Sequence, residues 1–122
     1  MKPIVILAAL CFTGATLSTA QQAPVAKQDQ TSYESVQRIL DTYCVGCHSG
    51  DRAKGGIRLT SYDEVMDSNV IVEKNPGKSR LYKAVTGAKG VRKMPPGRGP
   101  SLNKSQLSKI ETWIAQGAKN DE

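Results

Sequence analysis

The sequence predicts an all-α domain of about four short helices separated by long loops. Three observations predict it. Apolar side chains recur at helical spacing in the first and last thirds of the chain, helix-capping residues stand at the starts of those stretches, and no segment alternates as a regular β pattern. The chain has 122 residues, which suits one domain.

The chain opens "MKPIVILAALCFTGATLSTAQQ". Lys2 is followed by an apolar run from Ile4 to Phe12, and small residues Ser18 and Ala20 precede an expected cut. This is the layout of a secretory signal peptide over residues 1–20, and the run is too short to span a bilayer. A retained membrane anchor is the alternative. Residues 21–30 are polar, carry Pro24 and show no apolar period, so they read as a flexible lead to a domain over 31–119. The expected location of the mature chain is the periplasm or another exported compartment.

Within that domain, "TSYESVQRILDTY" places Tyr33, Val36, Ile39, Leu40 and Tyr43 on one helical stripe, with Thr31 or Ser32 as cap and Glu34 at the positive end. A loop rich in glycine follows, in which Ile57 and Leu59 alternate as a short extended piece. Ser61 and Glu64 form a capping-box pattern for a brief second helix containing Tyr62, Val65 and Met66. Val70 to Val72 reads as a short extended segment stopped by the turn Asn75-Pro76-Gly77. "RLYKAV", starting at Arg80, reads as a third helix ended by Gly87. The stretch "GAKGVRKMPPGRGP" from Gly87 to Pro100 is too crowded with glycine and proline for a helix or a central strand. Asn103 and Gln106 then cap a last helix with Leu107, Ile110, Trp113 and Ile114 inward and Gly117 at its end.

This core is thin. Aromatic residues make up 5% of the chain, and its one Phe lies in the signal. Signal removal also takes Cys11, leaving two of the three cysteines and no spare pair for a structural disulfide in a compartment where disulfides persist. Small domains of this kind recruit a metal or another staple. A large apolar cofactor would supply the missing buried surface.

The two remaining cysteines stand in "CVGCH", Cys44 to His48. Thiols three positions apart on a helix end face one side, where each can add across a vinyl group of haem while the adjoining imidazole reaches the iron. A zinc site would want four ligands, but the chain has a single His and no other mature Cys. A thioredoxin-like dithiol would want a βαβ pattern, which is absent. The motif is therefore read as the attachment point of one haem c. With His48 as one axial ligand and no second histidine, the other is sought among the mature methionines. Met66 sits on an apolar helix face, where methionine fills cores. Met94 sits in an irregular loop propped by Pro95 and Pro96, which suits presentation to a fixed point, and is favoured. His/Met ligation raises the potential and closes the iron to substrate, so the site passes electrons.

"CVGCH", "AKGGIRLTS", "NPGKSRLYKAV", "MPPG" and "LNKSQLSKIETWIAQGA", in that order, resemble the small monohaem cytochrome c domain of the class I fold, particularly the planctomycete-type cytochrome c group. The resemblance runs from about Tyr33 to Ala118. It implies thioether links from Cys44 and Cys47, iron ligation by His48 and Met94, and first and last helices packed near the haem with Trp113 as an aromatic contact. It also implies that the loops carrying Lys54, Lys89, Arg92, Lys93 and Arg98 border an exposed haem edge. Arg52, Arg58 and Lys104 extend this basic set, and no acidic residue lies between Gly87 and Lys104. The net charge is +6, or +5 once Lys2 is removed. An acidic docking face on a redox protein is the partner such a rim fits. Nucleic-acid binding is not expected of a modestly basic, exported chain with few aromatics, and neither is stable membrane insertion after signal cleavage. The expected function is a one-electron carrier rather than an enzyme. The alternative is a small haem subunit or sensor of a larger redox enzyme with an exchangeable sixth ligand.

Overall fold

A computed structural model describes residues 30–121 together with Gly14. The expected signal peptide and lead, apart from Gly14 and Gln30, lie outside the described residues. Among the described residues the protein is helical and has no strand, as the all-α reading expects. Helix α1 spans Tyr33–Tyr43, α2 Tyr62–Asp67, α3 Arg80–Thr86 and α4 Lys104–Ala115, with short 3-10 helices at Lys54–Gly56 and Pro76–Lys78.

The helix starts follow local chemistry. The Ser32 side chain accepts from the Ser35 N–H, which selects Ser32 over Thr31 as the α1 cap. In α4 both halves of the capping box form: Asn103 Oδ1 accepts from the Gln106 N–H and Gln106 Oε1 from the Asn103 N–H, each at 2.9 Å. At α2 the box is incomplete. Ser61 Oγ accepts from the Glu64 N–H, but the Glu64 carboxylate accepts from Thr60 instead. The helix starts where expected with a different reciprocal partner.

Helix α4 packs against both α1 and α3. Val36, Leu40, Ile110 and Ile114 are fully buried where these helices meet in the core cluster. Beside them stand three aromatic rings. Tyr33 and Tyr62 meet edge to face at 5.2 Å between centroids, and Tyr33 lies 5.5 Å from Trp113. Polar handles tie this cluster to the C-terminal tail. Trp113 Nε1 donates to the Lys119 carbonyl, the Tyr62 hydroxyl to the Ala118 carbonyl, and the Tyr33 N–H to the Asp121 carboxylate. Both ends of the described domain are thereby closed onto its core.

The segment Val70–Val72 pairs with no strand. Ser79, fully buried, takes its polar groups: Ser79 Oγ accepts from the Val72 N–H at 2.8 Å and faces the Val72 and Asn75 carbonyls at 3.1 and 2.9 Å. The Leu81 N–H donates to the Val70 carbonyl. A single hydroxyl and the first turn of α3 thus satisfy a segment that a strand would otherwise have to pair.

Candidate haem-attachment site

The cysteine motif lies just beyond α1 rather than on its last turn. Cys44 is the helix C-cap, with its N–H still donating to the Leu40 carbonyl. The chain then folds tightly: the N–H groups of Cys47 and His48 both donate to the Cys44 carbonyl, at 3.1 and 3.0 Å. One carbonyl thus gathers the whole motif. Cys44 is buried and Cys47 exposed. Burial, followed by the neighbouring Cys47, pushes the Cys44 thiol up to about 11, so it is neutral at pH 7 and Cys47 is the accessible thiol.

His48 is oriented by its own loop. Its Nδ1 lies 3.1 Å from the Ile57 carbonyl oxygen. A carbonyl can only accept, so Nδ1 carries the proton and Nε2 keeps its lone pair for a metal. A backbone carbonyl behind the ring is a common outer partner of a ligating histidine, fixing tautomer and orientation. The loop is held in turn: the Leu59 N–H donates to the His48 carbonyl and the Lys54 N–H to the Cys47 carbonyl. Gly55 and Gly56, at φ 68° and 70°, supply the left-handed turn that brings Ile57 back to the ring.

The motif borders a cleft whose lining does not include Cys47. Cys44 and His48 form part of its lining, with Ile57 and Leu59 from the following loop. Helix α3 adds Arg80, Leu81, Ala84 and Val85, Val70 lies beside them, and the loop after α3 adds Val91, Arg92 and Met94. The wall is mainly aliphatic, and no Asp or Glu contributes to it.

Met94 reaches the cleft through backbone anchoring. Gly87 caps α3 in the left-handed region, the Ala88 N–H donates to the Lys83 carbonyl, and the Met94 N–H donates to the Ala84 carbonyl at 2.9 Å. The loop therefore folds back onto the helix that lines the cleft. Met66 is absent from the lining and packs partly buried against the core cluster.

The other residues singled out by sequence fall into two groups. Arg92 lines the cleft, whereas Lys54, Lys89, Lys93 and Arg98 are exposed and outside the lining. Trp113, 1% exposed, is also outside the cleft wall and packs with Tyr33 and Tyr62. The indole serves the core and the C-terminal tail in this structure. Arg80 is the lining residue that the sequence reading left inside a helix without a role.

The donor set fits haem c. It combines two thiols at the required spacing, an imidazole with Nε2 free, a thioether in the same cleft, and aliphatic walls for a flat apolar ring. An all-α domain with this cleft has the layout of the c-type cytochrome class. The planctomycete cytochrome C family model matches residues 44–97, from the first thiol of the motif to just past Met94, and the chain carries a cytochrome c-type domain. Haem binding and electron transfer are the functions of that class. No curated protein and no solved structure matches the chain. Helices α1 and α4 lie outside the matched stretch.

Proposed function

We propose that the protein is an exported one-electron carrier holding one haem c through Cys44 and Cys47, with His48 and Met94 as axial ligands. The observation that carries this reading is the presence of Met94 in the same cleft as the metal-ready His48. When bound, haem c supplies the one-electron iron couple. The chain's residues do the rest. His48 is held in one tautomer by the Ile57 carbonyl, Met94 contributes a soft sulfur that favours reduced iron, and the aliphatic wall keeps water from the ring. With a single CxxCH motif in the sequence, one haem is the expected load. Domains of this type are typically exported, and no helix among the described residues is long and apolar enough to cross a membrane.

Absorption spectra of the purified protein in both redox states test the assignment. The weak ferric iron–sulfur band is expected in the parent and in Met66→Ala, and is expected to vanish in Met94→Ala. Persistence of the band in Met94→Ala would overturn Met94 as ligand. Ready binding of carbon monoxide by the ferrous parent at neutral pH would favour a sensor or enzyme subunit with an exchangeable sixth ligand.

A further inference from the structure

We infer that Gln37 is a positioning residue for His48: from α1 its carboxamide holds the segment 57–59, and that segment fixes the imidazole. The inference rests on the haem reading above and gives a residue outside the cleft lining a part in orienting the proposed iron ligand.

The Gln37 carboxamide has three polar contacts. Its Oε1 accepts from the Tyr33 hydroxyl, and its Nε2 donates to the Asp41 carboxylate at 2.7 Å and to the Leu59 carbonyl at 3.0 Å. An ionised carboxylate and a carbonyl can only accept, so the two N–H groups face them and the oxygen faces Tyr33. One orientation of the amide satisfies all three partners, and in it one N–H is aimed at residue 59. Tyr33 and Asp41 lie one turn before and one turn after Gln37 on α1, so they hold the side chain from both sides.

Segment 57–59 in turn holds His48. The Ile57 carbonyl accepts from Nδ1 at 3.1 Å, and the Leu59 N–H donates to the His48 carbonyl at 2.9 Å, so ring and backbone are fixed from the same three residues. The segment belongs to no helix and pairs with no strand. Side chains meet its remaining polar groups instead. Ser68 Oγ accepts from the Arg58 N–H at 3.0 Å and donates to the Arg58 carbonyl at 3.1 Å, and Gln37 takes the Leu59 carbonyl. Leu59 is buried, so a carbonyl stripped of its partner there has to shift toward another donor. Such a shift, two residues from Ile57, moves the carbonyl behind the imidazole. Helix α1 thus governs both parts of the motif, Cys44 directly as its C-cap and His48 through Gln37. A firm hydrogen bond at Nδ1 makes the imidazole a stronger donor to a metal and favours the oxidised state.

The test uses the full haem-loaded protein. In proton NMR of the ferrous state, Gln37→Ala and Gln37→Glu are each expected to speed solvent exchange of the His48 Nδ1–H by about fivefold, the factor that loss of one hydrogen bond supplies. Both are also expected to raise the reduction potential. Gln37→Glu keeps the length of the side chain and an acceptor for Tyr33 but has no donor for Leu59. The Trp113 Nε1–H, bonded to the Lys119 carbonyl, reports general loosening and is expected to exchange at the parent rate. Arg38→Gln removes the neighbouring ion pair with Glu34 on the same helix and is expected to leave both protons as in the parent. If the two Gln37 variants leave Nδ1–H exchange where Arg38→Gln leaves it, the inference is overturned. It is also overturned if the His48 and Trp113 protons speed up by the same factor, because Gln37 then stabilises the fold as a whole. Where Gln37→Ala fails to accumulate as folded protein, Gln37→Glu is judged by the same exchange. A parent without the haemochrome spectrum of covalently bound haem would overturn the proposed function and this inference together. A haem-bearing parent with unmoved variants would overturn this inference alone.

Discussion

His48 shows how much of the site is decided by a single hydrogen bond. The sequence identifies the imidazole, but which nitrogen faces a metal depends on the Ile57 carbonyl 3.1 Å from Nδ1, a contact made across a loop. The motif "CVGCH" was legible because its chemistry is local. Arg80 was not, because a residue at the start of a short helix reaches the cleft only through the docking of α3 on Val70. Trp113 is a different case, a side chain that the resemblance implies for haem contact and whose surroundings in the structure are Tyr33, Tyr62 and the Lys119 carbonyl. Trp113→Phe removes the Nε1 hydrogen bond and part of a fully packed ring. It is expected to cost about 1–3 kcal/mol in denaturant unfolding, with the haem absorption spectrum and the reduction potential unchanged. A shifted haem spectrum in the folded variant would show instead that the indole touches the ring.

At the scale of elements, the four helices were legible because each carries a stripe or a cap, and α4 carries both halves of its capping box. The stretch Val70–Val72 was less so, since the buried Ser79 hydroxyl that satisfies it is seven residues distant. The loop from Gly87 to Met94 is where element geometry meets ligand placement. The Ala84 carbonyl accepts from both Gly87 and Met94, so the helix cap and the proposed ligand share one anchor. Gly87 has φ +72°, and a Cβ there would lie 3.3 Å from Lys93 Cδ, next to Met94. Gly87→Ala is therefore expected to destabilise the protein by about 1–2 kcal/mol and also to lower the temperature at which the ferric iron–sulfur band is lost. Gly50→Ala supplies the comparison, because Gly50 has φ +62° with nothing within 4 Å of an added Cβ. It should show a similar backbone cost while its iron–sulfur band disappears only with global unfolding. Equal behaviour of the two variants would separate the cap from the ligand.

Across the whole molecule, charge is the property that no single helix or loop explains. The chain carries a formal +6, and the stretch from Gly87 to Lys104 holds Lys89, Arg92, Lys93, Arg98 and Lys104 with no acidic residue. Arg92 lines the cleft, whereas Lys54, Lys89, Lys93 and Arg98 are exposed positive charges outside it. Arg58 is partly offset by Asp51 at 3.8 Å. A surface of one sign accelerates encounter with an oppositely charged partner and does so over a distance set by salt. Between about 0.01 and 0.15 M ionic strength the screening length falls from about 30 to about 8 Å. Stopped-flow electron transfer to an acidic redox protein should accordingly slow across that range. Lys89→Glu combined with Arg98→Glu should bring the low-salt rate down toward the high-salt value while the absorption spectrum stays that of the parent. A rate that does not respond to ionic strength would remove steering from the account and leave the basic residues as solvated surface, with the haem cleft and its ligands untouched by that result.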